Sequence, residues 1–135
     1  MYQQMIFVNL AVSDLDASKK FFTELGYTIN PQFSNDNAAS VVISDTIVAM
    51  LLTKPFYATF TKKEIADART TSEVLIALSA ESREKADELV DRALALGATP
   101  SGEPQDHGFM YGRSFDDLDG HTWEVVWMDP AMMQG

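Results

Sequence analysis

The amino-acid sequence predicts an α+β protein built from two similar halves. Along its 135 residues, the pattern of one strand, one helix and three further strands occurs twice. Each predicted helix ends at a glycine, Gly26 or Gly97, which suits the left-handed position beyond a helix C-terminus. Phe7 and Leu75, in the two first strands, lie 68 residues apart, and the two glycines lie 71 apart. This spacing indicates one supersecondary unit that is duplicated and paired about a pseudo-twofold axis.

The first half opens with a strand and an amphipathic helix. Residues 5–12 alternate between a purely aliphatic face, which suits a covering helix, and a face that carries Asn9 and is free to line a cavity. Ser13 and Asp16 have capping-box spacing, which places the helix start at Ser13. The helical stripe that follows comprises Leu15, Ser18, Phe21, Phe22 and Leu25. Three strands are predicted near residues 27–33, 39–44 and 46–53.

The connector between the halves, residues 55–71, is unusually aromatic for a loop. Thr61 and Glu64 have capping-box spacing, so a short helix is predicted near residues 62–68. The aromatic side chains fit either a flap packed on its own domain or a lid or contact with a second subunit; they are Phe56, Tyr57 and Phe60.

The second half repeats the order of the first. A strand near residues 72–79 precedes a helix over residues 82–96, whose inward positions are Ala86, Leu89, Val90, Ala93 and Leu96. The remaining strands are predicted near residues 99–105, 109–115 and 121–128. The last two are joined by Asp119-Gly120, a strong hairpin signal because glycine readily takes positive φ. Glu124 lies inside the last strand, where a carboxylate is rarely left without a partner, a metal or a function.

Two segments resemble a known family. The opening VNLAVSDLDASKKFFTELGY and the closing DLDGHTWE resemble the first and last motifs of the vicinal oxygen chelate superfamily, which includes glyoxalases, bleomycin-resistance proteins and extradiol dioxygenases. The resemblance implies a single glyoxalase-like domain, 1–135, with module one at about 4–54, a connector at 55–71 and module two at about 72–130. It also implies two tandem βαβββ modules whose curved mixed sheets wrap a cleft, and a homodimer.

The resemblance also implies a divalent metal in the enzymes of the family, held by His, Glu or Gln, His and Glu from the first and fourth strands of each module. Carried over position by position, these sites are Phe7, Met50 (Ala49 if the register slips by one), Leu75 and Glu124. Phe, Met and Leu do not hold a hard or borderline dication, and one carboxylate does not retain it against water. No cofactor is therefore expected, and a divalent metal held by Glu124 with non-standard ligands is the alternative.

Other polar side chains complete the candidate site. Arg113 is the nearest candidate cation for Glu124, and Glu124 is the one candidate for a catalytic role. The predicted ligand-binding residues are Phe7, Asn9, Met50, Leu75, Tyr111, Arg113 and Glu124. His107 is interpreted as a loop residue or a cavity-rim group, and His121 as a turn cap. The acidic turn, which lacks the spacing of a calcium loop, is interpreted as solvated; it holds Asp116, Asp117 and Asp119.

The composition narrows the classes of function. A net charge of −10 opposes binding to nucleic acid and to anionic membranes. No apolar run reaches the roughly 20 residues of a membrane span, and the N-terminus lacks the features of a secretory signal. The absence of cysteine excludes thiolate chemistry and fits a cytoplasmic location. The sequence favours a binder of small organic molecules over a metal-dependent lyase (lactoylglutathione-lyase-like) or dioxygenase, a metal-free acid–base enzyme, or an assembly module, and it leaves catalysis open.

Overall fold

The computed structural model describes residues 1–133 and divides the chain into two compact units, Met1–Ala66 and a second that begins at Asp67. Each unit contains one mixed sheet; the first follows the order strand, helix and three strands, and the second follows the same order except that the strand after its helix is split into two short ones. The predicted α+β fold of two βαβββ modules is therefore confirmed. Among the helices of the described residues, none is long and apolar enough to cross a membrane.

The first unit is a four-stranded sheet with one long helix. Its elements are β1 (Ile6–Val12), α1 (Leu15–Leu25), β2 (Thr28–Asn30), β3 (Ala38–Val42) and β4 (Ile47–Thr53). The strand order is β1-β4-β3-β2, with β1 and β4 parallel and the other neighbours antiparallel. The helix α1 packs on β2, β3 and β4, and its buried side chains are the five of the predicted stripe.

Two local details of the first unit differ from the sequence interpretation. The Asp14 carboxylate, through Oδ1, accepts the Ala17 N–H at 3.0 Å, so Asp14 caps α1 and the predicted cap at Ser13 is wrong by one residue. The strand β2 is shorter than predicted because a 3-10 turn, Pro31–Phe33, follows it directly. A proline has no N–H to donate to a strand ladder, which ends the pairing there.

The connector contains a helix, but earlier than predicted. The helix α2 (Lys54–Tyr57) follows β4 directly, and a 3-10 turn, Ala58–Phe60, extends it. Pro55 lies in its first turn, where the missing N–H costs nothing. The helix predicted near residues 62–68 is wrong, because Thr61 Oγ1 accepts the Lys63 N–H at 3.1 Å and closes a local turn instead.

The second unit has the same plan. Its elements are β5 (Leu75–Ser79), α3 (Arg83–Ala95), β6 (Thr99–Pro100), β7 (Gln105–Asp106), β8 (Met110–Asp116), β9 (Thr122–Met128) and α4 (Pro130–Met133). The strand order is β5-β9-β8-β6, with β7 also paired to β8 and with β5 and β9 parallel. The single strand predicted near residues 99–105 is two short strands, because Gly102 and Pro104 weaken the pairing between them.

The core of the second unit lies between α3 and the sheet. The helix begins at Ser82, whose Oγ accepts the Lys85 N–H at 3.1 Å. It packs on β8 and β9, and the buried side chains are Ala86, Val90 and Ala93 of the helix with Phe115, Trp123 and Val125 of the sheet. The odd-numbered residues of β8 and β9 therefore face α3, and the even-numbered residues face away from it.

Candidate ligand-binding face

Strand register relates the four positions carried over from the family's metal site. In the first unit, Phe7 of β1 pairs with Val48 of β4, and Met50 lies two residues further along β4. In the second unit, Leu75 of β5 pairs with Thr122 of β9, and Glu124 lies two residues further along β9. The two parallel strand pairs thus have the same offset, which supports Met50 rather than Ala49 as the counterpart of Glu124.

Glu124 lies on the sheet face that points away from α3. This face, here called the Glu124 face, is formed by residues 75, 77 and 79 of β5 and by the even-numbered residues of β8 (110–116) and β9 (122–128). Its side chains are mainly small or apolar, and it contains no lysine or arginine. Of the predicted binding residues of the second unit, Leu75 and Glu124 lie on this face.

The immediate surroundings of Glu124 are small. Ala77 pairs with it on one side and Ser114 on the other. At the neighbouring Gly112, an added Cβ would contact Val126 Cγ2 at 3.7 Å, so the glycine leaves space on this face that a larger residue would fill. The Glu124 side chain is half-buried, and the described part of the chain supplies it with no hydrogen bond or ion pair. The result is a carboxylate without a partner among the described residues, surrounded by small side chains.

The other carboxylate of the Glu124 face has a hydrogen-bond partner. Asp116 accepts a hydrogen bond from the Thr122 hydroxyl at 2.6 Å. Asp116 is two residues from Ser114, the partner of Glu124, so the two carboxylates are diagonal cross-strand neighbours. The face therefore has two negative charges, and the Glu124 carboxylate is the one with no hydrogen bond among the described residues.

In the first unit, the three predicted residues share one face. Phe7 and Asn9 alternate along β1, and Asn9 pairs directly with Met50. On its other side Met50 pairs with Ser40, the counterpart of Ser114 in the second unit. Phe7 is 55% exposed, Asn9 is exposed and Met50 is half-buried. The structure thus brings these three together, on a face of β1, β3 and β4 that carries no charged side chain.

Tyr111 and Arg113 lie on the opposite side of the second sheet from Glu124. The Tyr111 hydroxyl donates to Asp87 Oδ1 of α3 at 2.6 Å. Arg113 donates through Nη1 to Asp87 at 3.1 Å and to Asp91 at 2.7 Å. The expectation that Arg113 is the cation for Glu124 is wrong, because alternate residues of a strand face opposite sides and Arg113 is bound to the helix.

The contact of Tyr111 and Arg113 with α3 was missed in the sequence, although a signal exists. Arg83, Asp87 and Asp91 recur every four residues and form a polar stripe along the helix. The hydrogen bond from Tyr111 lowers the pKa of Asp87, and in turn the Asp87 carboxylate raises the pKa of Tyr111. This polar cluster fixes the helix on the sheet.

Arg83 forms hydrogen bonds to both sides of the loop that contains His107. Its guanidinium donates to both Asp106 oxygens, at 2.8 and 2.9 Å, and to the Gly108 carbonyl at 2.9 Å. It also lies over the Tyr111 and Trp127 rings, at 5.2 and 5.1 Å from their centroids. The bidentate hydrogen bond from Arg83 holds the pKa of Asp106 at about 2.

The acidic turn before β9 is a buried structural element and not the solvated turn that was predicted. Asp117 and Asp119 are only 8% and 6% exposed. Asp117 accepts the backbone N–H groups of Asp119 and His121 and the Trp123 indole N–H, each at 3.0 Å. Burial raises the pKa of Asp117. The backbone of His121 belongs to the turn, and the turn-capping role of its side chain stays a prediction; His107 lies in an exposed loop.

The residues present do not fit the metal of the family's enzymes. Among residues 1–133, no three His, Cys, Asp or Glu side chains are grouped so that they could hold a metal ion. The carried-over positions offer one carboxylate and three side chains without a hard donor. A divalent cation in such proteins requires several oxygen or nitrogen ligands.

Comparisons with known proteins agree with the fold. The family model described as glyoxalase/bleomycin resistance protein/dioxygenase superfamily matches residues 4–125. A hypothetical protein from S. aureus is 30% identical, with a TM-score of 0.77 over 94% of this chain and 95% of that one. A glyoxalase-related enzyme from Fulvimarina pelagi is 20% identical, with a TM-score of 0.77 over 93% of this chain and 88% of that one.

A fosfomycin resistance protein from Listeria monocytogenes is 21% identical, with a TM-score of 0.66 over 94% of this chain and 92% of that one. A search of curated proteins found no match. The two βαβββ units and the match over most of the sequence define the class: the chain belongs to the glyoxalase/bleomycin resistance protein/dioxygenase superfamily.

Proposed function

We propose that the protein binds a small organic molecule on the Glu124 face without a resident metal ion. One observation carries the proposal: three of the four positions carried over from the metal site are Phe7, Met50 and Leu75, and the fourth, Glu124, has no partner among the described residues. A half-buried carboxylate on an otherwise small and apolar face is more stable with a bound partner than without one.

Apolar side chains around the carboxylate support this proposal. Leu75, whose strand partner Thr122 is two residues from Glu124, is 57% exposed; Met110 and Met128 form a pair on the same face four residues further along β9, where Met128 is 37% exposed. Methionine side chains adapt to ligands of different shapes, and exposed apolar side chains grouped on one face are typical of binding sites. Phe7, Asn9 and Met50 remain predicted contacts for the ligand, on their own sheet face.

The test uses a neutral probe, 4-phenylbutanol, and the amide spectrum of the ¹⁵N-labelled protein. We expect saturable chemical-shift changes centred on Ala77, Gly112 and Ser114. The variant Gly112→Val should weaken binding, because its side chain fills the space next to Val126. The matched control Gly102→Val, which has open space around it, should bind as the wild type does. Shift changes confined to other surfaces would refute the proposal.

We also propose that the protein acts as a homodimer. β1 and β5 are each at the edge of their own sheet, and both have exposed apolar side chains at their N-terminal ends. These side chains are Ile6 and Phe7 of β1, Leu75 of β5 and Val74 just before it; each is 51–57% exposed. Edge strands with exposed apolar residues favour association with another chain.

A further inference from the structure

Every basic side chain of the second unit is bound to an acidic partner away from Glu124. Arg113 is bound to Asp87 and Asp91 on the helix side of the sheet. The remaining four pairs are Arg69 with Asp119, Arg83 with Asp106, and both Lys85 and Arg92 with Glu88. The chain therefore provides no cation of this unit for the one carboxylate that the Glu124 face leaves free.

The negative charge of the second unit favours the binding of a cation from solution. Residues from Asp67 onward include fourteen of the twenty acidic side chains of the protein but only five of its ten basic ones. They thus carry almost all of the net charge of −10. On the Glu124 face itself, Asp116 is a second negative charge near Glu124, and like charges at that range favour a shared counter-ion.

We propose that the ligand of the Glu124 face is an organic ammonium ion with an apolar body. The ammonium N–H groups donate to the Glu124 carboxylate and to the hydroxyl of its strand partner Ser114. The apolar body lies over the exposed side chain of Leu75, whose strand partner Thr122 is two residues from Glu124. This assignment rests on the proposed function, since it names the chemical class that the same face binds.

An inorganic cation does not satisfy the same face. The face offers two carboxylates at most, Glu124 and Asp116, and one oxygen of Asp116 accepts the Thr122 hydroxyl. A dication prefers six or more oxygen ligands, so with one or two carboxylates it keeps most of its water and gains little from the protein. An organic cation gains from both the ion pair and the burial of its apolar part.

The experiment compares three probes with the same apolar body and different charge: 4-phenylbutylammonium, 4-phenylbutanol and 4-phenylbutyrate. Dissociation constants come from amide titrations at neutral pH and roughly physiological salt. We expect the ammonium probe to bind about tenfold more tightly than the alcohol, because a hydrogen bond to a charged group is stronger than a neutral one. We expect the carboxylate probe to bind most weakly.

Two variants remove one negative charge each. Glu124→Gln should reduce the advantage of the ammonium probe over the alcohol to about twofold or less, while alcohol binding persists. Glu84→Gln, on α3 and therefore on the other side of the sheet, changes the net charge equally and should leave the advantage intact. If Glu124→Gln does not fold, Glu124→Met, which copies the residue at the corresponding position of the first unit, replaces it in the same comparison.

The outcomes separate the two proposals. If all three probes shift the amides of the Glu124 face with equal affinity, the assignment of an ammonium ligand is overturned and the binding face stands. The same holds if the ammonium preference survives Glu124→Gln, because the preference then arises from overall charge. If none of the probes shifts these amides, both proposals are overturned.

Discussion

At the scale of single residues, two carboxylates of the same hairpin have opposite roles. Asp117 is buried and accepts three N–H groups, including the Trp123 indole. Glu124, seven residues later, is half-buried and has no partner among the described residues. The sequence identified Glu124 because an acid inside an apolar strand is conspicuous. It missed Asp117, because an acid-rich turn resembles a solvated one until the tryptophan is known to donate to it.

Removal of the Asp117 carboxylate should destabilise the protein strongly. Asp117→Ala leaves one indole and two backbone N–H groups without their acceptor, and we expect the free energy of unfolding to fall by about 2–4 kcal/mol. Urea unfolding followed by tryptophan fluorescence measures this change. Glu103→Ala, in an exposed loop, should alter the unfolding free energy by less than about 0.5 kcal/mol. A loss for Asp117→Ala as small as that of the control would show that the turn does not depend on this side chain.

At the scale of elements, helices and the final hairpin followed from the sequence better than the connector did. The stripe of α1 has helical spacing and a glycine stop, so its burial was predictable. The start of α2 at Lys54 was not, because two signals conflicted: Pro55 looked like an interruption, and the Thr61–Glu64 spacing looked like a cap. Local hydrogen-bonding residues serve turns and caps equally, and only the surrounding packing decides between them.

Position 120 requires glycine for two reasons: its backbone has a positive φ, and neighbouring atoms leave no room for a Cβ. Its φ is +91°, and an added Cβ would lie 2.8 Å from Arg69 N and 2.9 Å from Arg69 Cα. We expect Gly120→Ala to lower the unfolding free energy by roughly 2 kcal/mol or more, because the strained φ and the backbone clash add. Gly102→Ala, where no atom lies within 4 Å of the added Cβ, is the matched control for chemical denaturation. Equal stability of the two variants would contradict this view of the turn.

The ion pair between α3 and β7 should be visible in the titration of Asp106. We expect its carboxyl carbon to titrate with a pKa of about 2 in the wild type and to return toward 3.8 in Arg83→Gln. Because the folded pKa is depressed, the stabilisation is complete above the unfolded pKa and is lost as the pH falls toward 2. Arg92→Gln, which removes a pair with Glu88, should leave the Asp106 titration unchanged. A wild-type value near 3.8 would show that the pair does not form in solution.

At the scale of the whole molecule, the order of elements and the two end motifs were sufficient to predict the family. The repeat of about 70 residues corresponds to two units with the same strand register, down to the common offset of Phe7–Met50 and Leu75–Glu124. Alternate residues of a strand face opposite sides of the sheet. Once the face of one residue is known, the faces of the others in that strand follow. Arg113 was misassigned as the partner of Glu124 because closeness within a hairpin does not show which sheet face a residue occupies. Arg113 pairs with Val125, the residue next to Glu124, and therefore lies on the opposite face.

Association of two chains is the prediction at this scale. Sedimentation velocity at micromolar concentration should show a homodimer, and Phe7→Asp should shift it toward the monomer by placing a charge on the exposed end of β1. Phe33→Asp is a matched control, since Phe33 is similarly exposed but lies in a 3-10 turn and not on a strand edge. A monomeric wild type would remove the proposal.

The most direct test of the central claim is a calorimetric titration of the wild-type protein with Ni²⁺. Three of the four positions carried over from the family's metal site are apolar and the fourth, Glu124, is a single carboxylate, so we expect no saturable binding below about 1 mM. Leu75→His, which places an imidazole on the Glu124 face, serves as a positive control that should gain measurable Ni²⁺ binding. Stoichiometric micromolar binding to the wild type that is lost in Glu124→Gln would contradict the account.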